Sequence, residues 1–572
     1  QDAIEKVLIA EGHARTAKAF ILYRARRSRI REGRTELMDT VAEILQAESG
    51  HAGLPPARLH AIGLAASREY YLNRFLPEAI ADAHLQGDLH IHGLAHYAKS
   101  PQAFVLPYRR LLEGGFTTGH AYLRPPRRAA SAAALTALML QAAHLDCHGG
   151  LVIADFDGDL AATLPADTPE ASLAQAMEAL VHQLNATPSP TAGEPPRVTL
   201  HVGLAESPLG QAVARALLQA VERGLGRGEV AMRPLVVFRV RTDLHLAEGA
   251  PLASLARRAA EVAAKTPAVT FAFEAEAASA GFEGRLTGHG GAAGVTQIAK
   301  TTINLPRVAL QARRAGGDIE SALDTAVEAA KTQLLHRYEA LASRAIAEFP
   351  FLMGQGLHRG ADGLKPTDPV GEALAAGTLS IGLIGLAEAL VVLTGSHHGE
   401  SEESQALGMR IVEHLAAHAT RLSAETGLRF VLGATDAAGL GDRLARLDRR
   451  AFGMIKGATE TPHYTSGVCV PADAAIDHDQ RLAREGAYAP MLEGGSFSQL
   501  PLTEAPTPEA AIAWLAFAAA AGVRMLALDY PLAHCQACGG AGLPEASCPS
   551  CDGPASMLRR VQRRRGYLPL EA

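Results

Sequence analysis

The sequence predicts a mixed α/β fold, and three observations carry that expectation. Alanine-rich, proline-free stretches at 129–146 and 320–348 favour helices, because alanine loses the least side-chain freedom in a helix. Short β-branched or aromatic runs bounded by turn residues, at Val198–Val202, Pro234–Val240 and Ala268–Phe273, favour strands. The two kinds of segment alternate through the middle of the chain, separated by Gly- and Pro-rich breaks at 187–196, 281–294 and 354–371.

At 572 residues the chain is too long for one ordinary core, so it must hold several domains or one large barrel with appendages. Apolar residues make up 48% and charged residues 20%, which excludes a disordered or fibrous protein. The longest apolar stretch, Ala510–Val523, has 14 residues, too few to cross a bilayer, and predicts a buried helix. No charged segment followed by an apolar one opens the sequence, so a cytoplasmic location is expected. A net charge of −6 argues against nucleic acid as a partner. Near the start, Ile4, Leu8, Ile9, Ala17, Phe20 and Ile21 recur at helical spacing beside a basic stretch from Arg24 to Arg34, which predicts one or two amphipathic helices.

Four of the six cysteines fall at Cys535, Cys538, Cys548 and Cys551. Two C-x2-C pairs separated by a turn-rich stretch each present two thiolates from one tight knuckle, and together they complete an all-sulfur tetrahedral set. Such a set has no open position. Its expected occupant is a structural Zn2+, with an iron–sulfur cluster as the alternative. The clustering also suggests metal in a reducing compartment, not a disulfide framework.

Other motifs are less specific. His90, His92 and His96 are spaced to group two of the three, as metal ligands or as polar residues on a strand lining a barrel mouth. Gly284–Gly294 holds five glycines and leads into TTINLPRVAL, an expected strand entry, but it lacks the Gly-Lys-Ser/Thr ending of a phosphate-binding P-loop. Cys147, in LDCHGG, belongs either to a ligand pocket or to the core.

Just beyond the cysteine pairs comes Met557-Leu-Arg-Arg-Val-Gln-Arg-Arg-Arg-Gly566-Tyr567-Leu568, and here the sequence resembles the anaerobic (class III) ribonucleoside-triphosphate reductases, which are glycyl-radical enzymes. The likeness continues, in order, through EGHARTAKAFILYRARRSRIREG, DLHIHGL, TTINLPRVAL, SIGLIGLAEAL, HYTSG and EGG. It implies a ten-stranded glycyl-radical-type α/β barrel of two antiparallel five-stranded halves, wrapped by helices, with a C-terminal zinc-ribbon module. The implied division is a helical remnant of an ATP-cone at 1–48, the barrel at 49–530, the zinc module at 531–556 and the radical loop at 557–572.

The same resemblance implies that Gly566 stores the radical. A Cα radical is delocalised over the flanking amide nitrogen and carbonyl, and only glycine lets that centre flatten without a side-chain clash. A separate radical-SAM activating enzyme, using S-adenosylmethionine and an iron–sulfur cluster, installs it. The radical then passes to a cysteine on a loop inside the barrel, that thiyl attacks the ribose 3′ position, and the 2′ hydroxyl leaves as water. A ribonucleotide substrate, a deoxynucleotide effector and a homodimer follow by resemblance, with no nucleic acid or membrane partner. His90, His92, Asn304 and Ser466 are the implied substrate contacts.

One departure matters. The family carries its thiyl cysteine a few tens of residues before the INLPR-like strand, and AVTFAFEAEAASAGFEGRLTGHGG contains none. Gly93 also stands where the family's histidine is commonly followed by aspartate. Cys469, just after HYTSG, is therefore the candidate for a relocated thiyl, beside its reading as a buried structural cysteine. A glycyl-radical enzyme with another substrate and a catalytically silent nucleotide-binding paralogue remain the alternatives.

Overall fold

A computed structural model describes residues 7–8, 10–13, 15–17, 20, 37–46, 55–187, 197–226, 229–266, 268–273, 293–538, 541–542, 547–548 and 551–561. Gly566, most of 1–48 and the stretch 274–292 lie outside the described residues. By their internal contacts the residues fall into two units. The smaller comprises Gln1–Asp82, Gly93–Tyr97 and Pro188–Glu194, and the larger takes Ala83–His92, Ala98–Thr187 and Pro195–Ala572. In the smaller unit, the helix Pro55–Tyr70 runs into a wide turn at Tyr71–Phe75. The rings of Tyr71, Phe75 and Tyr97 pack edge to edge or tilted there, and Ser67 donates to the Ala95 carbonyl at 2.7 Å.

The larger unit is built on one mixed sheet. Its strands are β1 (Leu89–Ile91), β2 (Ala103–Val105), β5 (Gly150–Ile153), β6 (Arg197–Val202), β7 (Leu235–Val240), β8 (Val269–Phe273), β9 (Thr296–Asn304), β10 (Thr378–Ile384), β11 (Arg429–Ala434), β12 (Ser498–Pro501) and β13 (Met525–Asp529). A separate hairpin pairs β3 (Phe116–Thr117) with β4 (Tyr122–Leu123). The strand order is β11-β10-β9-β2-β5-β6-β7-β8-β13-β12, with β1 added antiparallel to β9. Strands β2, β5, β6, β7 and β8 are mutually parallel. So are β9, β10 and β11, and so are β12 and β13. The first group meets the other two antiparallel, at β2/β9 and β8/β13.

Two backbone hydrogen bonds bring the ends of that order together. Gly494 N–H donates to the Leu432 carbonyl at 2.7 Å, and Ala434 N–H donates to the Gly495 carbonyl at 2.9 Å. The residues leading into β12 thereby bond to β11, and ten strands close into a barrel of two five-stranded halves, parallel within and antiparallel between. Closure removes the exposed edges that an open sheet presents. The approach requires glycine on both sides, since a Cβ on Gly433 would meet the Gly494 backbone at 3.0 Å.

The strands are buried on both faces, and on β6 and β8 it is the polarity of successive side chains that alternates. Val198, Leu200 and Val202 of β6, Val236, Phe238 and Val240 of β7, and Val269, Phe271 and Phe273 of β8 join one core beneath the outer helices Ala129–Asp146, Glu170–Ala186, Pro208–Arg223 and Ala253–Ala263. A second core lies outside β9–β11, under the helices Leu305–Ala315, Ile319–Ala342, Leu386–Thr394 and Glu402–Thr426. The alternate residues Thr199, His201, Thr270 and Asp529 are also buried but polar. They face the barrel interior.

The expected segments largely hold, with three corrections. The helix Ala129–Asp146 and the strands within 197–202, 235–240 and 269–273 lie where the sequence places them. The helix expected over 320–348 stops at Ala342, and a short 3-10 turn at Ile346–Glu348 follows. TTINLPRVAL is strand only to Asn304, because Pro306 lacks an N–H and suits the first turn of the helix that begins at Leu305. The apolar stretch near Ala510–Val523 is a helix, Pro508–Ala520, but only Ala511, Leu515 and Ala518 are buried in it, so it covers the core with one face. Among the described residues no helix is long and apolar enough to cross a membrane.

Gly433→Val should lower stability by about 1–3 kcal/mol, because the added methyls force apart the backbone contact that closes the barrel. Urea denaturation followed by far-UV circular dichroism measures it, and an unchanged midpoint would refute the closure argument.

Candidate active site and metal centre

His90 lies on β1, which pairs it with Thr302 and Ile91 with Thr301 of β9, and His92 follows directly after the strand. Their rings lie 4.7 Å apart, edge to face. His92 Nε2 sits 2.8 Å from Thr302 Oγ1, and Thr302 Oγ1 sits 2.7 Å from Thr435 Oγ1, a chain that crosses from β1 through β9 to the end of β11. Burial, then the charges of Lys300 and Arg337, hold His92 well below the ordinary imidazole range, so it is neutral at neutral pH. Arg337 reaches in from the outer helix and donates to the His92 carbonyl at 2.6 Å. Lys300 Nζ donates to the Ala434 carbonyl at 3.2 Å. Gly382 of β10 lies among these groups, and any side chain there would overlap Thr302, Thr435 and Lys300.

A second cluster holds the corner after β9. Asn304, fully buried, caps the following helix, accepting from Arg307 N–H, while its amide donates to Gly87 O and Asp448 Oδ2, both at 2.9 Å. Arg307 Nε donates to Asp448 Oδ1 at 2.5 Å, and Tyr464 OH to Asp448 Oδ2 at 2.8 Å. Burial raises the Asp448 carboxyl above its usual range, and Arg307 opposes that shift. The side chain of Asn304 is thus occupied in anchoring the strand-to-helix corner.

The segment HYTSG lies against the N-terminus of the helix Leu386–Thr394. Thr465 donates to Glu388 Oε1 from its N–H at 2.9 Å and from its hydroxyl at 2.6 Å. Glu388 Oε2 is buried without a hydrogen-bond partner among the described residues, and burial raises its carboxyl above the usual range. Ser466 Oγ accepts from Ala437 N–H at 2.9 Å. Cys469, half-buried, points its thiol at the Phe497 carbonyl, 3.1 Å away, and burial pushes that thiol well above its ordinary pKa. Cys147 belongs to the hydrophobic core, its thiol pushed up to about 12 by burial, which settles its choice in favour of packing.

The histidines do not form a metal site: among the described residues neither His90, His92 nor His96 joins a ligand cluster. The cysteines do. Cys535 Sγ lies 3.7 Å from Cys551 Sγ, and Cys538 Sγ lies 3.6 Å from Cys548 Sγ, with all four within 4.8 Å of one another. Tetrahedral zinc–sulfur bonds of about 2.3 Å give sulfur–sulfur edges of about 3.8 Å, so the spacing fits that ion. The knuckles close on a small sheet of β14 (Leu532–Cys535), β15 (Ala541–Gly542) and β16 (Leu558–Val561). β14 follows β13 after two residues, and its Leu532 is in the barrel core. Antiparallel pairing sets Leu532 opposite Val561, so β16 runs back toward the barrel rim and ends five residues before Gly566.

Of these groups, the cysteine set, His90, His92 and the HYTSG segment stand among the sequence expectations, and the structure brings the four cysteines together. Sequence reading missed Lys300, Thr302, Thr435, Glu388 and Asp448. Lys300 and Thr302 alternate with outward-facing residues on β9, and that period of two was the available signal.

The profile of a family described as anaerobic ribonucleoside-triphosphate reductase matches residues 55–570. The anaerobic ribonucleoside-triphosphate reductase of Haemophilus influenzae is 26% identical, across 99% of this chain and 88% of its own. That of Escherichia coli is also 26% identical, across 99% and 87%. Among solved structures, one described as an anaerobic ribonucleotide reductase aligns with a TM-score of 0.73 at 19% identity, covering 93% of this chain and 88% of its own. The anaerobic ribonucleotide reductase from Thermotoga maritima, solved in complex with dATP and CTP, aligns with a TM-score of 0.70 at 17% identity, covering 95% and 96%.

Dialysis against a strong chelator should free the segment beyond Pro531 to limited proteolysis while the barrel's thermal midpoint stays within a few degrees. Global unfolding on chelation would contradict a locally acting metal knot.

Proposed function

Because the chain belongs to the anaerobic ribonucleoside-triphosphate reductase family, we propose that it reduces ribonucleotides, as triphosphates, to deoxyribonucleotides in the cytoplasm through a radical stored at Gly566. The observation that carries this reading is the path of β16. It is pinned to β14 next to the barrel core and heads for the rim, with Gly566 only five residues further on. Five extended residues span at most about 18 Å, enough to enter a barrel mouth.

The chain's own groups suit the work of holding a ribonucleotide. A closed barrel with a polar inner face excludes bulk water from a radical intermediate. His92, Thr302 and Thr435, at the end of β1, on β9 and at the end of β11, offer donors and acceptors held by three strands, and neighbouring Lys300 supplies a cation for an anionic substrate. Ser466 lies on the HYTSG segment and is assigned a substrate contact with His90 and His92. Zn2+ at the four cysteines is assigned a structural task, fastening β16 to β14. A radical-SAM activating enzyme is the assigned source of the glycyl radical, dATP-like nucleotides are the assigned effectors, and a homodimer is the assigned assembly.

A second reading rests on one observation. The connection from β8 to β9 carries no cysteine, so the sulfur relay is missing from the place where relatives carry theirs. Cys469 takes that role in the active-enzyme reading. In the other reading the chain binds nucleotides without turning them over.

Incubation without oxygen with a radical-SAM activase and S-adenosylmethionine should give a doublet in the EPR spectrum that Gly566→Ala abolishes. Cys469→Ser should leave the doublet and remove deoxynucleotide formation by at least a hundredfold. A doublet without turnover in the unaltered protein favours another substrate, and no doublet at all favours the silent paralogue.

A further inference from the structure

We propose that Asp324, His414 and His418 form a second metal site, taking a divalent first-row cation of the zinc class through two imidazole nitrogens and one carboxylate oxygen. The site stands apart from the cysteine knuckles and from the barrel interior, and it does not depend on the radical reading.

Two long helices set the geometry. His414 and His418 lie four residues apart on the helix Glu402–Thr426, hence one above the other on one face. Asp324 comes from the second turn of the helix Ile319–Ala342, whose start is capped by Asp318. Leu323 and Val327 of one helix and Ile411 and Leu415 of the other are buried in the same core over β9–β11, so packing fixes which face each helix turns to its neighbour. The imidazole rings stand 4.8 Å apart.

The donor atoms converge on one point. His414 Nε2 lies 2.8 Å and His418 Nε2 2.7 Å from the same oxygen, Asp324 Oδ1. Zinc bonds to nitrogen and carboxylate oxygen run about 2.0–2.2 Å, which sets donors about 3.4 Å apart around a tetrahedral ion. The carboxylate must therefore withdraw by about 0.6 Å to admit the cation. It has room, since the Asp324 side chain is 54% exposed, whereas the histidine side chains, at 24% and 14%, are held by their surroundings. Two nitrogens and one oxygen suit zinc, cobalt or nickel and not magnesium or calcium. The remaining coordination positions face solvent and take water.

A cation there would tie together the two helices that cover the β9–β11 half of the barrel. The test starts from full-length protein whose four-cysteine site has been filled with zinc, titrated with Co2+. One further equivalent should bind, giving weak visible d–d bands without the near-ultraviolet thiolate band, and should raise the thermal midpoint. The double substitution His414→Ala/His418→Ala should lose that equivalent and the midpoint rise while retaining the zinc of the cysteine site. Asp324→Asn, which keeps a hydrogen-bond acceptor for the histidines but removes the charge, should weaken Co2+ binding at least tenfold. Equal uptake by the unaltered protein and the double variant overturns the proposal. So does a double variant that is merely less stable, with no metal-dependent difference, since the triad is then a hydrogen-bonded clamp.

Discussion

Closure of the barrel at Gly433 and Gly494 is the constraint from which the rest of the larger unit follows. With β11 bonded to the residues entering β12, each of the ten strands from β11 to β12 in the sheet order has neighbours on both sides and the sheet acquires an inside. Successive side chains then divide between a largely apolar outer layer under the helices and an inner face where Thr199, His201, Thr270, Lys300 and Thr302 can be buried together. An open sheet would leave those groups in water, where they would specify nothing. The pairing of β1 with β9, and of β9 through β10 to β11, brings His92, Thr302 and Thr435 into one connected line.

The buried polar groups are costly unless partnered, and the structure partners them in networks that run between elements. Asp448 is held by Asn304, Arg307 and Tyr464, residues from the strand-to-helix corner and from the HYTSG segment. Glu388 is held by both donors of Thr465. These two networks tie together segments far apart in sequence: INLPR and HYTSG both bond Asp448 of the helix Leu440–Phe452, and HYTSG also bonds Glu388 of SIGLIGLAEAL. The cysteine sheet is an extension of the same scaffold, since β14 continues directly from β13 and Leu532 is packed in the barrel core.

Much of this was legible in the sequence because the signals are local. The helix at 129–146, the strands near 198, 235 and 269, and the paired cysteines each announce themselves within a few residues through propensity or ligand spacing. What was not legible depends on contacts between distant residues. The exposure of one face of the helix Pro508–Ala520 could not be read from an unbroken apolar run that offers no polar stripe. The end of β9 at Asn304 was marked by Pro306, but the capping of the new helix by Asn304 needs Asp448, 144 residues later. His414 and His418 carry a visible four-residue spacing, while the carboxylate they face lies 90 residues upstream of the first of them. The likeness to a family supplied the barrel, the proposal that Gly566 stores a radical and the expectation of a cysteine between β8 and β9, which the chain does not fulfil.

The proposed chemistry comes down to whether the inner face of this barrel receives both a ribose and the Gly566 carbon. Crystals of the zinc-loaded protein grown without oxygen, with a ribonucleoside triphosphate and dATP, test this directly. The account predicts the ribose among Thr302, Thr435 and His92, with Gly566 inside the barrel mouth. A nucleotide bound only outside the barrel, or Gly566 on the outer surface, would contradict it.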